Sequence, residues 1–279
     1  MKLRPAHLHD LLHIQLRATA TLATVLLFLG SSAPLVWETF DYQDACWYAG
    51  ISSLVIIAGC YRSCYVNLLT PSLTKPERQL GFVLAWSVGS VGAWLFWQLP
   101  YLFFLQDALQ IKTIDMAPAI HWKIAWHCYT LFDEWYAPPL NSLTLALELG
   151  YGGIGMPLMS LGICKYYRYY KMDTVKHKPE CQRTLFISSL TLLTIAGALQ
   201  SYAAIMYLTI KFTAGGTNEP FHHGMVKDMW IGVGFPFVWF VYGGMSACFA
   251  GNQIKHALLL TTSSTTTHQQ RFYHKSQSA

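Results

Sequence analysis

The chain has 279 residues, 53% of them hydrophobic and only 12% charged, against about 25% charged in an ordinary soluble domain. These figures exclude a disordered chain, a collagen-like repeat and a disulfide scaffold. Aromatics reach 15% and the formal net charge is +5. Together they point to an integral membrane protein whose basic loops lie near anionic lipid, not to a nucleic-acid surface.

In chain order, residues 1–17 are basic and His-rich and precede an apolar run from Ala18, which reads as an uncleaved signal anchor. Six stretches, 18–37, 46–66, 80–105, 138–164, 184–210 and 229–250, are long and apolar enough to cross a hydrocarbon core, which takes about 20 residues. Lipid offers no partner for backbone N–H and C=O groups, so these stretches must be helical; the alternating segments of a barrel are absent. The second span ends at Arg62 and Asn67, and Arg62 can snorkel from a terminal turn. The expected fold is all-α, a polytopic bundle of six transmembrane helices. Residues 1–45 form the N-terminus and first helix, 46–255 the main transmembrane domain, and 256–279 a Ser-, Thr-, Gln- and His-rich tail expected to be disordered.

With both termini cytosolic, Lys2, Arg4, Arg17, Arg62, Lys75, Arg78, Lys165, Arg168, Lys171, Lys176, Lys178, Arg183, Lys255, Arg271 and Lys275 share the cytosolic side. Only Lys112, Lys123, Lys211 and Lys227 face the other side, as the positive-inside rule requires. Lys165–Lys171, with its four tyrosines, reads as a cytosolic interface anchor. Cys60 and Cys64 have helical spacing but no second ligand pair, so no metal site is expected, and no motif calls for a cofactor.

Across the six spans there is one carboxylate, Glu148. An ionisable group at membrane depth is costly, about 2.5–3.5 kcal/mol on insertion scales, and usually faces the bundle interior. The bland alternative is a protonated Glu that bonds a neighbouring helix. Helical spacing puts Thr144, Tyr151, Gly152 and Gly155 on the same face. The run Gly150, Gly152, Gly153, Gly155, Pro157 can kink the helix or permit close packing.

The segment 106–137 is rich in aromatics and acids. Within it Trp126, Tyr129, Asp133 and Tyr136 fall at helical intervals, so one face of a short interfacial helix would carry two phenols, an indole and an acid. A membrane-interface aromatic belt accounts for such rings equally well.

The string Trp126-His-Cys-Tyr129-Thr-Leu-Phe-Asp133-Glu-Trp-Tyr136 resembles the W-x-x-Y-x-x-x-D-x-x-Y signature of the emopamil-binding protein superfamily, the EXPERA domain. Asn141 and Glu148 follow in that family's Asn-then-Glu order. Gln200-Ser-Tyr202-Ala-Ala-Ile-Met-Tyr207 is similar to its Q-x-Y-x-x-x-x-Y, and Trp239 stands where the family has a cavity-lining Trp. The resemblance covers about 46–255 and implies a five-helix core, preceded here by an extra helix, around an intramembrane cavity for sterols and other amphiphiles. It also implies sterol Δ8–Δ7 isomerase-like chemistry. A carboxylic acid kept neutral by desolvation protonates an alkene, and aromatic faces hold the carbocation; the resemblance gives these roles to Glu148 and Trp239. Trp94 stands where the sterol isomerases have His, Gln98 where they have a catalytic Glu, Pro236 at their cavity Asn, and Ala204 at an acid after Tyr202.

Two functions follow as expectations. One is a divergent isomerase or cyclase of a terpenoid, meroterpenoid or steroid-like substrate. Glu148 or Asp133 is its acid, and Trp94, Trp97, Gln98, Tyr101, Trp126, Tyr129, Tyr136, Asn141, Tyr202, Tyr207 and Trp239 contact the substrate. The other is a non-catalytic receptor for sterols, lipids or amphiphilic amines. In both, the partners are an apolar small molecule and membrane lipids, with a homodimer left open, in a multi-pass protein of the endoplasmic reticulum membrane.

Overall fold

The structure is a computed structural model that describes residues 64, 68–69, 71, 73–99, 103, 142–172, 179–213 and 235–276. The regular structure of these residues is helical, without a strand. The first helix, α1, spans Lys75–Ala93. It starts at Thr74, whose backbone N–H and hydroxyl both donate to the Glu77 carboxylate at 2.8 Å. Pro76 fits the first turn because its missing N–H would have no partner inside the helix. The helix does not stop at Ala93 but widens into a π turn, Trp94–Gln98, marked by the Leu99 N–H reaching back five residues to the Trp94 carbonyl.

The second rod has the same interruption. Helix α2, Ser142–Gly150, passes through a π turn, Tyr151–Gly155, closed by the Met156 N–H on the Tyr151 carbonyl. It continues as α3, Met156–Lys171. Pro157 lacks the N–H that an α-helical ladder would use here, and the glycines before it widen the turn at little steric cost. The run expected to kink the helix or to permit close packing holds a π turn. Helices α4, Pro179–Thr213, and α5, Phe235–Ser276, complete the described chain.

Small residues set the helix spacing. A Cβ on Gly197 of α4 would lie 2.9 Å from the Gly243 carbonyl oxygen of α5, and one on Gly243 would lie 2.9 Å from the Gly197 oxygen. Next to this crossing the Ser201 hydroxyl donates to the Phe240 carbonyl at 2.8 Å. Helices α3 and α4 meet at Gly162, whose carbonyl accepts from Ser189 at 2.8 Å. Leu80, Val83, Leu84, Met156, Met159, Leu190 and Leu193 fill the space between α1, α3 and α4. A second cluster joins α1 to α5: Phe82 stacks on Tyr242 at 5.6 Å and meets Phe249 edge-on at 5.4 Å.

The four helical rods overlap the last four of the six stretches expected to be spans, with α5 running well past the expected 229–250. The first two spans and the N-terminal 45 residues lie outside the described residues. One described helix, Pro179–Ile210, is long and apolar enough by length and composition to cross a membrane. Of the others, α2 and α3 are each shorter, with nine and sixteen residues on either side of the π turn, and α1 opens with Lys75, Glu77 and Arg78. Helix α5 runs to Ser276, through the tail expected to lack structure. After Gly251 the sequence contains no Gly or Pro to stop it.

The core is mainly apolar but also holds polar side chains: Ser87, Ser90, Thr144, Glu148, Ser189, Gln200, Ser246 and Gln253 are buried, while Leu149, Ile154, Leu161, Ile195, Tyr202 and Phe237 are exposed.

Candidate functional site

Glu148 occupies the last turn of α2, immediately before the π turn, and is 6% exposed. Its expected face is reproduced: Thr144, Tyr151, Gly152 and Gly155 are all buried with it. Among the described residues Glu148 is the buried acid. Trp94 approaches the same face from α1, where a Cβ on Gly152 would lie 2.7 Å from its Nε1. The indole of the first π turn thus approaches the second at Gly152, which leaves the space that the ring fills. Trp94 Nε1 and Thr144 Oγ1 are buried and form no hydrogen bond among the described residues. An indole N–H can only donate, and a hydroxyl can donate or accept. Two groups near the acid, one on each side along α2, thus carry capacity that a ligand oxygen can use.

A buried polar network stands beside this face. The Trp86 indole N–H donates to Gln200 Oε1 at 2.8 Å. The Gln200 amide donates to the Tyr151 hydroxyl at 2.7 Å and to Ser90 Oγ at 3.2 Å. One side chain from α4 thereby ties α1 to the π turn that follows Glu148. Trp239 packs on Trp86, with ring centroids 5.1 Å apart, and Trp86 also meets Tyr242 at 5.1 Å. The contacts joining Trp239 to the acid's neighbourhood run through Trp86, Gln200 and Tyr151.

The sequence-based residues separate accordingly. Trp94 meets Gly152, one turn beyond Glu148 on its buried face, and Gln98 is half-buried one turn beyond Trp94. Tyr207 is buried on the same face of α4 as Gln200, seven residues on. Tyr202 is not part of this interior. It is 59% exposed, because two residues from Gln200 is a rotation of about 200° on a helix. Trp239 borders the network but is backed by Trp86. Tyr101, Trp126, Tyr129, Asp133, Tyr136 and Asn141 lie outside the described residues, as does the side chain of Trp97.

Sequence reasoning missed Trp86 and Ser90 as site residues and quoted Gln200 without a role. The signal was present. Trp86, Ser90 and Trp94 are spaced i, i+4, i+8 on α1, and Gln200 is an amide in the middle of an apolar span. At the basic end, burial pushes the Tyr166 phenol far above its ordinary range, helped by Tyr169 and Tyr170, and burial likewise raises Tyr169.

No family model, curated protein or solved structure matches the chain.

Proposed function

We propose that the chain is a membrane-embedded isomerase or cyclase, a divergent relative of the emopamil-binding proteins. Glu148 would exchange a proton with an alkene or epoxide of a terpenoid, meroterpenoid or steroid-like substrate. The observation that carries this reading is the setting of Glu148: a buried acid in the last helical turn before a π turn, in a bundle that also exposes large apolar side chains. Buried acids at membrane depth mark functional sites, and single π turns inside α-helices frequently do so too.

The protonated Glu148 gives its proton to an alkene carbon or an epoxide oxygen, leaving a carbocation and a carboxylate. In an isomerisation or cyclisation the carboxylate then takes a proton from a carbon next to the final cation, so the enzyme ends as it began. The Trp94 indole N–H, one turn beyond Glu148 at Gly152, is suited to donate to an oxygen of the substrate. Water has to be kept out, since it would capture the cation as an alcohol. The apolar surroundings and the indoles of Trp86, Trp94 and Trp239 favour that. In this reading the protein is a multi-pass protein of the endoplasmic reticulum membrane with both termini cytosolic.

A second reading, a receptor for sterols or cationic amphiphiles, is favoured by Trp94 and Gln98. They stand where the sterol isomerases have His and Glu. In that case Glu148 grips the ligand and performs no chemistry.

One experiment separates the two. Ligand that co-purifies with the protein is identified by mass spectrometry and supplied to wild type and Glu148→Gln. The amide keeps size and hydrogen bonding but has no acidic proton. The enzyme reading expects conversion by wild type only, with binding retained in the variant. Near-normal conversion by the variant excludes Glu148 as the acid. Ligand bound unchanged by wild type and lost from the variant favours the receptor.

A further inference from the structure

Helical hydroxyl groups in this bundle commonly donate to carbonyls. Ser87, Thr191 and Thr194 each donate to the carbonyl four residues earlier, at 2.7, 2.9 and 2.8 Å. Ser189 and Ser201 donate across to a neighbouring helix. Two buried hydroxyls depart from this pattern. Thr144 of α2 and Ser246 of α5 form no hydrogen bond among the described residues. Helix α5 contains no acid, so Ser246 has no carboxylate on its own helix to serve. Thr144 does: Glu148 follows it by one turn, and the two are buried on one face, 1% and 6% exposed.

Residues four apart on a helix have Cβ atoms about 5–6 Å from each other. Helical side chains lean toward the N-terminus over the preceding turn, so the Glu148 side chain leans toward the turn that holds Thr144. A buried hydroxyl without a partner costs stability, and valine has nearly the same shape without that cost. The Thr144 hydroxyl therefore needs a state in which it is used. Proton transfer from Glu148 supplies one. With its proton the carboxyl can both donate and accept; once the proton has passed to an alkene carbon or an epoxide oxygen, the carboxylate accepts only. A donor placed where charge appears during the reaction stabilises the transition state more than the resting acid.

We propose that Thr144 is a positioning residue of the proton-transfer step. Its hydroxyl turns to donate to the Glu148 carboxylate as that anion forms, and keeps its own proton throughout. The inference rests on the proposed role of Glu148 as the acid. It assigns Thr144 to the carboxylate, whereas Trp94, which meets Gly152 on the other side of the acid along α2, is left to the substrate.

The test uses the full chain in nanodiscs and a cation that stands in for the carbocation. N,N-dimethyldodecylamine, protonated at neutral pH, pairs with a carboxylate; the uncharged N,N-dimethyldodecanamide does not. Wild type is expected to prefer the amine, and Glu148→Gln to lose that preference. Thr144→Val should lower the preference about tenfold, as the loss of a hydrogen bond to a charged group would. Thr144→Ser should restore it. Thr144→Val should also melt no lower than wild type, because the hydroxyl it removes has no bond to lose. An unchanged preference in Thr144→Val, a Ser variant as weak as the Val variant, equal weakening of amine and amide, or a lower melting temperature in Thr144→Val would each overturn the role of Thr144. No preference in wild type, or one that survives in Glu148→Gln, would instead overturn Glu148 as the acid and with it the function proposed above.

Discussion

At the scale of the residue, Gln200 connects the most structure with one side chain. It accepts from Trp86 and donates to Tyr151 and Ser90, so its removal strands an indole N–H and unties the turn after Glu148. Leaving a buried donor unsatisfied costs about 1–3 kcal/mol, while interhelical hydrogen bonds in membranes are worth about 0.6–2 kcal/mol. Gln200→Leu is therefore expected to destabilise the protein by about 2 kcal/mol, read as thermal unfolding in detergent. A loss under about half that value would mean the network is dispensable. Gly152 offers a contrasting pair with Gly153. A Cβ at Gly152 meets the Trp94 indole, whereas one at Gly153 has nothing within 4 Å. Gly152→Ala should push Trp94 off the Glu148 face and impair turnover, while Gly153→Ala should leave turnover intact; equal behaviour would remove Trp94 from the site. For Trp239, a desolvated cation–π contact is worth about 2 kcal/mol, or roughly 30-fold in rate. Trp239→Phe should keep more activity than Trp239→Leu. Since Trp86 backs that ring, equal losses in both variants would mean Trp239 only fills space.

At the scale of the element, the crossing of α4 and α5 depends on two glycines whose added methyl groups would meet backbone oxygens at 2.9 Å. Backbone cannot yield as a flexible side chain can, so overpacking here should exceed the usual range of about 1–3 kcal/mol. Gly197→Val is expected to separate the two helices, and Gly251→Ala, with nothing within 4 Å, to be neutral. Comparable melting of both variants would argue against the close crossing. The elements also show what the sequence makes legible. The face of Glu148 followed from helical spacing alone, because positions three, four and seven residues apart share a side whatever the neighbours are. The interruption at Gly150–Pro157 was legible as a weak point, but not as a π turn. Tyr202 shows the limit: a motif gives the order of residues, whereas the face of α4 that turns inward is fixed by packing against α5. The same limit hid Trp86, whose partner lies 114 positions away. The polar composition of 256–279 pointed to disorder, whereas helix α5 runs to Ser276 and no Gly or Pro follows Gly251.

At the scale of the whole molecule, the bundle proposed here to lie in lipid exposes large apolar side chains on α2, α3, α4 and α5. Large exposed apolar surfaces mark contact with a membrane or a partner, and the basic end supplies a direction for insertion. Cations of α1, α3, α4 and α5 include those assigned to the cytosolic side in the proposed orientation. The proton chemistry proposed for Glu148 presupposes this arrangement, since a carbocation needs a site from which water is excluded. Glycosylation mapping tests it most directly. An acceptor sequon engineered into 112–125 and another into 172–180 are introduced separately into the full chain and expressed in microsomes. The account predicts glycosylation of the first and none of the second, which adjoins the basic end on the cytosolic side. Glycosylation of the second site would contradict the orientation and, with it, the membrane bundle proposed here.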